Sequence, residues 1–304
     1  MTISQTARVT NSPDFILYAQ HGWADTSKAI ASLAKALATP QTTVVAPSLG
    51  WVMTWLRIEP LIERLERVVF ATTAQHPQAP LRIVGHSMGG LIWLEVLNRH
   101  PHLRSRVHSL VLVASPVGGS DLARIIDPFG WGIGIARDLG KNRRPLAESI
   151  AAEIPTLVIA GDLDGGSDGT IPVESTKVAG ATFTSLSGLA HAQLKNAPQL
   201  LPIVQNFWQN PAIASPPEPS FATRLIRRLQ AIPGMTDGHP RNFSRSKLRD
   251  RFPDGSRLLT GKSQLGIDRV FVANSEGKCL YSGFVGWSHA QQLHQMLEEI
   301  CAGE

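Results

Sequence analysis

The stretch Leu81-Arg82-Ile83-Val84-Gly85-His86-Ser87-Met88-Gly89-Gly90 decides how the rest of the chain is read. Its first four residues are strand-like. After Gly90 the chain continues as Leu91, Ile92, Trp93, Leu94, Glu95, Val96 and Leu97, a helical apolar run ended by Pro101. A Gly-x-Ser-x-Gly turn between a strand and a helix sets the serine in a strained conformation, and the glycines are needed because the turn leaves no room for side chains beside it. The serine oxygen then stands clear of the backbone at a helix N-terminus, whose dipole favours developing negative charge. Five residues with three fixed recur by chance, so it is the strand before and the helix after that give this match its weight. Ser87 is the candidate nucleophile.

Outward from that turn, strands and helices alternate. Asp14 to Ala19 reads as a buried strand running into Gln20-His21-Gly22-Trp23; Ala29 to Ala38 reads as a helix stopped by Pro40, and Thr42 to Ala46 as the next strand. Between Leu56 and Gln75, Leu61, Ile62, Leu65, Val68 and Val69 share one helical face, with Glu63, Arg64, Glu66 and Arg67 opposite. Downstream, Val107 to Val113 and Thr156 to Ala160 read as strands, Thr182 to Leu186 as a short one, and a closing helix ends near Trp208. Residues 117–153 break the alternation with several glycines and Trp131, and read as a cap inserted after a strand. The pattern predicts an α/β fold over residues 1–210, a mostly parallel sheet covered by helices on both faces, with ligands at the carboxyl ends of the strands.

The 304 residues leave room for a second, smaller unit. Pro211 to Pro219 is proline-rich and reads as a linker over 211–220. Residues 221–304 read as a small α+β extension: Ser220 caps a short helix with Leu225, Ile226 and Leu229 on one face; Arg241 to Arg257 is polar and basic without a period. Arg269 to Asn274 and Lys278 to Phe284 read as two strands, and a helix begins at Ser288. The net charge of +5 is concentrated here, because residues 221–270 hold eleven Lys or Arg against four Asp, whereas residues 1–210 hold seventeen against fifteen acids. Composition excludes a collagen, a disordered chain and a disulfide scaffold. The polar start and the lack of a long apolar run point to a cytoplasmic protein without a transmembrane segment, and Cys279 and Cys301 to reduced, structural thiols.

A serine hydroxyl needs a base to take its proton, and the base needs a carboxylate to hold its tautomer. On such a sheet the chain order is serine, acid, histidine. His191, in a small-residue loop after the last strand, fits the base. The loop Gly161-Asp162-Leu163-Asp164-Gly165-Gly166-Ser167-Asp168-Gly169-Thr170-Ile171-Pro172 offers three acids. Asp168, which opens a turn feeding a helix, is favoured over Asp164, which lies closer to the strand. The backbone amides of Met88 and Trp23 are the expected oxyanion donors, Gly22 letting the chain turn the Trp23 amide inward.

His-Gly-Trp after a first strand, Gly-His-Ser-Met-Gly-Gly, Asp-Gly-Thr-Ile-Pro after a later strand and a late Gly-Leu-Ala-His resemble the α/β-hydrolase superfamily in its lipase and esterase branch, over about Asp14 to Trp208. The resemblance implies a Ser87, Asp168, His191 triad, an acyl-enzyme intermediate, an ester or thioester substrate, and neither cofactor nor metal. It also implies a compact version of the fold, because the usual first two strands are missing. The alternative is a catalytically silent fold serving as a binding module through its basic C-terminal region. Two further signals are weak: Gly261-Lys262-Ser263 lacks the upstream glycine and the preceding strand of a phosphate loop, and the basic stretch, poor in aromatics, reads as a solvated connector, with no nucleic-acid partner expected. Trp51, Trp55 and Trp131 are candidates for lining an acyl pocket.

Overall fold

The computed structural model describes residues 12–120, 134–215, 218–263 and 266–303. A six-stranded sheet is built from β1 (Phe15–Gln20), β2 (Thr42–Val45), β3 (Leu81–His86), β4 (Val107–Val113), β5 (Thr156–Asp162) and β6 (Thr182–Ser187). Their order is β2-β1-β3-β4-β5-β6 and every pairing is parallel. Strands β3, β4 and β5 are apolar runs buried on both sides, as a parallel sheet with two covered faces requires. Arg82, the charged residue inside β3, is accommodated because its guanidinium lies between the rings of Phe15, 3.7 Å from the centroid, and Trp208, at 4.4 Å.

On one face, α2 (Glu59–Gln75) and α3 (Met88–Arg99) bury Leu61, Ile62, Leu65, Val69, Leu91 and Trp93 in a common core with Ile16, Tyr18 and Ile83. On the other, α1 (Ser27–Leu37) and a late helix, Leu200–Gln209, bury Ile30, Leu33, Val204 and Phe207 against Leu17, Val84 and Val111. Of the expected cap, residues 121–133, with Trp131, lie outside the described residues. The later part of that segment forms α4 (Ile135–Leu139) and α5 (Arg144–Ala151), whose Leu139, Ala147, Ile150 and Ala151 join the core of the α3 face. Its last helix, α5, thus shares the core on the α3 face of the sheet. After β5 comes the single turn α6 (Val173–Thr176); the late helix is α7.

Beyond residue 220, α8 (Phe221–Gln230) is capped by Ser220, whose hydroxyl accepts from the Thr223 amide at 3.1 Å. Five strands follow: β7 (Thr236–Asp237), β8 (Lys247–Arg251), β9 (Arg257–Lys262), β10 (Asp268–Ala273) and β11 (Cys279–Phe284), with α9 (Ala290–Ala302) at the end. They form an antiparallel sheet ordered β7-β11-β10-β9-β8. Leu225 and Leu229 of α8 pack with Leu293, Leu297 and Ile300 of α9 over Leu258, Val270 and Val272. The sequence reading misses β8 and β9. The basic segment expected to lack structure contains an edge strand, whose charged side chains conceal the alternation, and Gly261-Lys262 belongs to a strand of this sheet. No helix among the described residues is long and apolar enough to cross a membrane, and both cysteines are free.

Candidate active site

The site is assembled where the carboxyl ends of β3, β5 and β6 meet. Strand β3 stops at His86 and α3 starts at Met88, so the entire reversal falls on Ser87, which has φ 54° and ψ −127°. A positive φ in a residue with a Cβ costs about 1–3 kcal/mol. It is held by a bond from the Ser87 amide to the Val113 carbonyl at 2.8 Å. The flanking glycines are required by contact: a Cβ on Gly85 would lie 2.6 Å from the Gly90 nitrogen, so strand end and helix start touch backbone to backbone.

The loop after β5 is shaped by its own acids. Asp162 accepts from the amides of Gly165 and Gly166, both at 2.8 Å, and Asp164 from the amide of Ser167 at 2.9 Å and its hydroxyl at 3.0 Å. These bonds turn Asp168 inward, where it is 2% exposed. One carboxylate oxygen accepts from the amides of Thr170 (3.0 Å) and Ile171 (2.6 Å), leaving Oδ2 2.6 Å from Nδ1 of His191. The opposite ring atom, Nε2, lies 3.0 Å from Oγ of Ser87. The loops carrying acid and histidine are also joined through the backbone, His191 N–H donating to the Asp168 carbonyl at 2.9 Å. Asp164 is not part of this line: it faces His239 of the C-terminal region, Oδ2 to Nε2 2.9 Å, and so pins the same loop from outside.

Two further histidines support the site. His21, at the end of β1, accepts from the Leu49 amide through Nε2 at 3.0 Å, so its proton is on Nδ1, which donates to the Gly22 carbonyl at 3.0 Å. Burial lowers its pKa, in keeping with a neutral ring. This fixes the turn at Gly22, whose added Cβ would lie 2.8 Å from Cβ of Ser87 and 3.2 Å from the Met88 nitrogen. The segment leading to the Trp23 amide thus passes directly against the serine, and the Met88 amide, first of its helix, has no intrahelical acceptor. His86 is buried, which drives its pKa well below the usual imidazole value; the neutral ring donates from Nε2 to the carbonyl of His191 at 3.1 Å. The sequence reading overlooked this role for His86 because only the fold brings residues 86 and 191 together. The Trp55 ring meets that of Trp23 at 4.4 Å and that of Trp51 at 5.6 Å, an aromatic group beside the serine turn; Trp51 is 52% exposed. Among the described residues no cluster of His, Cys, Asp or Glu is arranged to hold a metal ion.

A compact parallel sheet between two helical layers, with a strained serine between its central strand and the following helix, defines the α/β-hydrolase fold. The resemblance read from the motifs holds at that level. Residues 11–146 match the family model described as serine aminopeptidase, S33. Among solved structures, the lipase BlEst2 of Bacillus licheniformis in mature form is similar with a TM-score of 0.51 at 14% identity, over 65% of this chain and 92% of that one. Its propeptide form is similar with a TM-score of 0.52 at 13% identity, over 85% of this chain and 59% of that one. No curated protein matches the sequence.

Proposed function

We propose that the protein is a serine hydrolase that cleaves a carboxylic ester or thioester through an acyl-enzyme intermediate. The observation that carries this reading is the continuous line from Ser87 Oγ through His191 to the buried Asp168, with bonds of 3.0 and 2.6 Å. His191 Nε2 takes the hydroxyl proton as Oγ attacks the acyl carbon, and Asp168 stabilises the imidazolium that forms. The amides of Met88 and Trp23 stabilise the oxyanion. His191 then protonates the departing alkoxide or thiolate, leaving the acyl group on Ser87. Water, deprotonated by the same ring, attacks the acyl carbon; release of the carboxylic acid returns the proton to Ser87. The exposed aromatic group at Trp51 and Trp55 supports an apolar acyl portion. The similarity in fold to a lipase supports the reaction class but not a particular substrate.

The test is labelling of the protein by a fluorophosphonate probe, compared with Ser87→Ala, together with hydrolysis of nitrophenyl esters of graded chain length, an acyl thioester and an aminoacyl anilide. Labelling of wild type only, with turnover of ester or thioester, is expected. Absence of labelling, or equal labelling of the variant, overturns the reading; turnover of the anilide alone transfers it to peptide bonds. Asp168→Asn is expected to lower kcat by about 10⁴-fold, since the acid sets the histidine tautomer, whereas Asp164→Asn retains most of the activity.

A further inference from the structure

The basic C-terminal stretch supplies no residue to the line of Ser87, His191 and Asp168, yet its cations converge in three dimensions. Lys247 of β8 lies opposite Thr260 of β9, which lies opposite Val270 of β10, and Lys262 lies opposite Asp268. Val270 faces α9 through Leu293 and Leu297, so strand alternation sets Lys247 and Lys262 on the face that α9 covers. The helix does not fill the space above the outer strands, and a cleft of about 430 Å³ remains there. Arg245, Lys247, Arg249, Lys262 and His294 line it, and the buried Leu293 and Leu297 lie beneath it.

Asp268 is the acid in this lining, lying 3.2 Å from Lys262 and 3.5 Å from His294. Arg245, Lys247 and Arg249 make no ion pair among the described residues. A charged edge strand is an ordinary device against sheet-to-sheet pairing, and on its own would account for Lys247. It does not account for a concave wall to which β8, β9 and the turn before β8 each add a cation and α9 adds the imidazole of His294. Ammonium and guanidinium groups are donors without acceptors, and several of them around one cleft match the oxygens of a multiply charged phosphate group. The volume is that of a small-molecule site. The lining holds no Phe, Tyr or Trp on which successive bases would stack, which disfavours single-stranded nucleic acid.

We propose that this cleft between the β8–β9 edge and α9 binds a phosphorylated small molecule, its phosphates on Arg245, Lys247 and Arg249. The test is calorimetric titration of the full chain with inorganic pyrophosphate and with ADP at low salt. Binding at one site per chain is expected, weakening as salt is raised. The double variant Lys247→Ala/Arg249→Ala should bind pyrophosphate at least about tenfold more weakly, because each substitution removes a charged hydrogen-bond donor. Arg251→Ala, on the same strand but outside the cleft, should bind like wild type. Circular dichroism establishes that the variants fold, and Lys262→Gln provides a second, milder loss. The proposal is overturned if pyrophosphate does not bind, if Arg251→Ala weakens binding as much as the double variant, or if an oligonucleotide binds and pyrophosphate fails to displace it.

Discussion

Removing the Asp237 carboxylate tests what holds the C-terminal sheet against the hydrolase fold. Arg144 at the start of α5 and Asp237 of β7 form an ion pair at 2.6 Å with side chains 8% and 2% exposed. Neither charge can be hydrated, and stripping one partner from a buried pair costs about 3–5 kcal/mol because the other is left uncompensated. In Asp237→Ala, Arg144 keeps its bonds to the carbonyls of Glu174 (3.0 Å) and Lys177 (3.2 Å), which places the loss at the lower end, about 3 kcal/mol. At about 2–4 °C per kcal/mol for a unit of this size, the melting temperature falls by about 6–12 °C. Scanning calorimetry measures it directly. Arg144→Met alone and combined with Asp237→Ala completes a double-mutant cycle, in which the combined variant should melt above Asp237→Ala, since it no longer buries an unpaired guanidinium. A melting temperature for Asp237→Ala within about 1 °C of wild type, on the same scale, would mean that the buried pair does not stabilise the fold.

Gly22→Ala should lower ester turnover by about 10²-fold while the protein stays folded, because the new methyl would sit 2.8 Å from Cβ of Ser87; kcat and a melting curve measured side by side check this. Asp138 gives a pH prediction. Burial alone would raise its pKa, but the side-chain bond from Arg57, the Ile58 amide and the charges of Arg57 and Arg143 outweigh burial and leave the pKa lowered. A depressed carboxylate stabilises the fold above its unfolded pKa of about 3.9 and loses that contribution as the pH falls through the folded value. Asp138→Asn should therefore be less stable than wild type at neutral pH, and denaturant midpoints should converge below about pH 4.

The parallel strands were legible because their evidence is local: an apolar run bounded by turn residues, as in Val107 to Val113, or, for the polar edge strand Thr182–Ser187, a short segment between turn residues. The serine turn was legible for the same reason, since its glycines, strand and helix are contiguous. Asp168 could be favoured over Asp164 only by its place before a turn, because the choice depends on how Asp162 and Asp164 fold the loop back on itself. The C-terminal strands were harder. In Lys247-Leu248-Arg249-Asp250-Arg251 the solvent-exposed edge leaves charges on both faces, and a register shift between Leu248 and Asp250 disturbs the period that would have marked a strand. Contacts such as Arg144 with Asp237, 93 residues apart, have no local signature at all.

The backbone at Ser87 also bears on what selection acts upon. Its dihedral angles are ones that glycine adopts freely and serine does not, so glycine at this position would relax the turn and leave a more stable fold. Keeping serine there maintains a permanent local penalty whose only return is a hydroxyl. If Ser87 acts as the nucleophile proposed above, then in a lineage that ceased to need its hydroxyl, stability alone would favour glycine at this position.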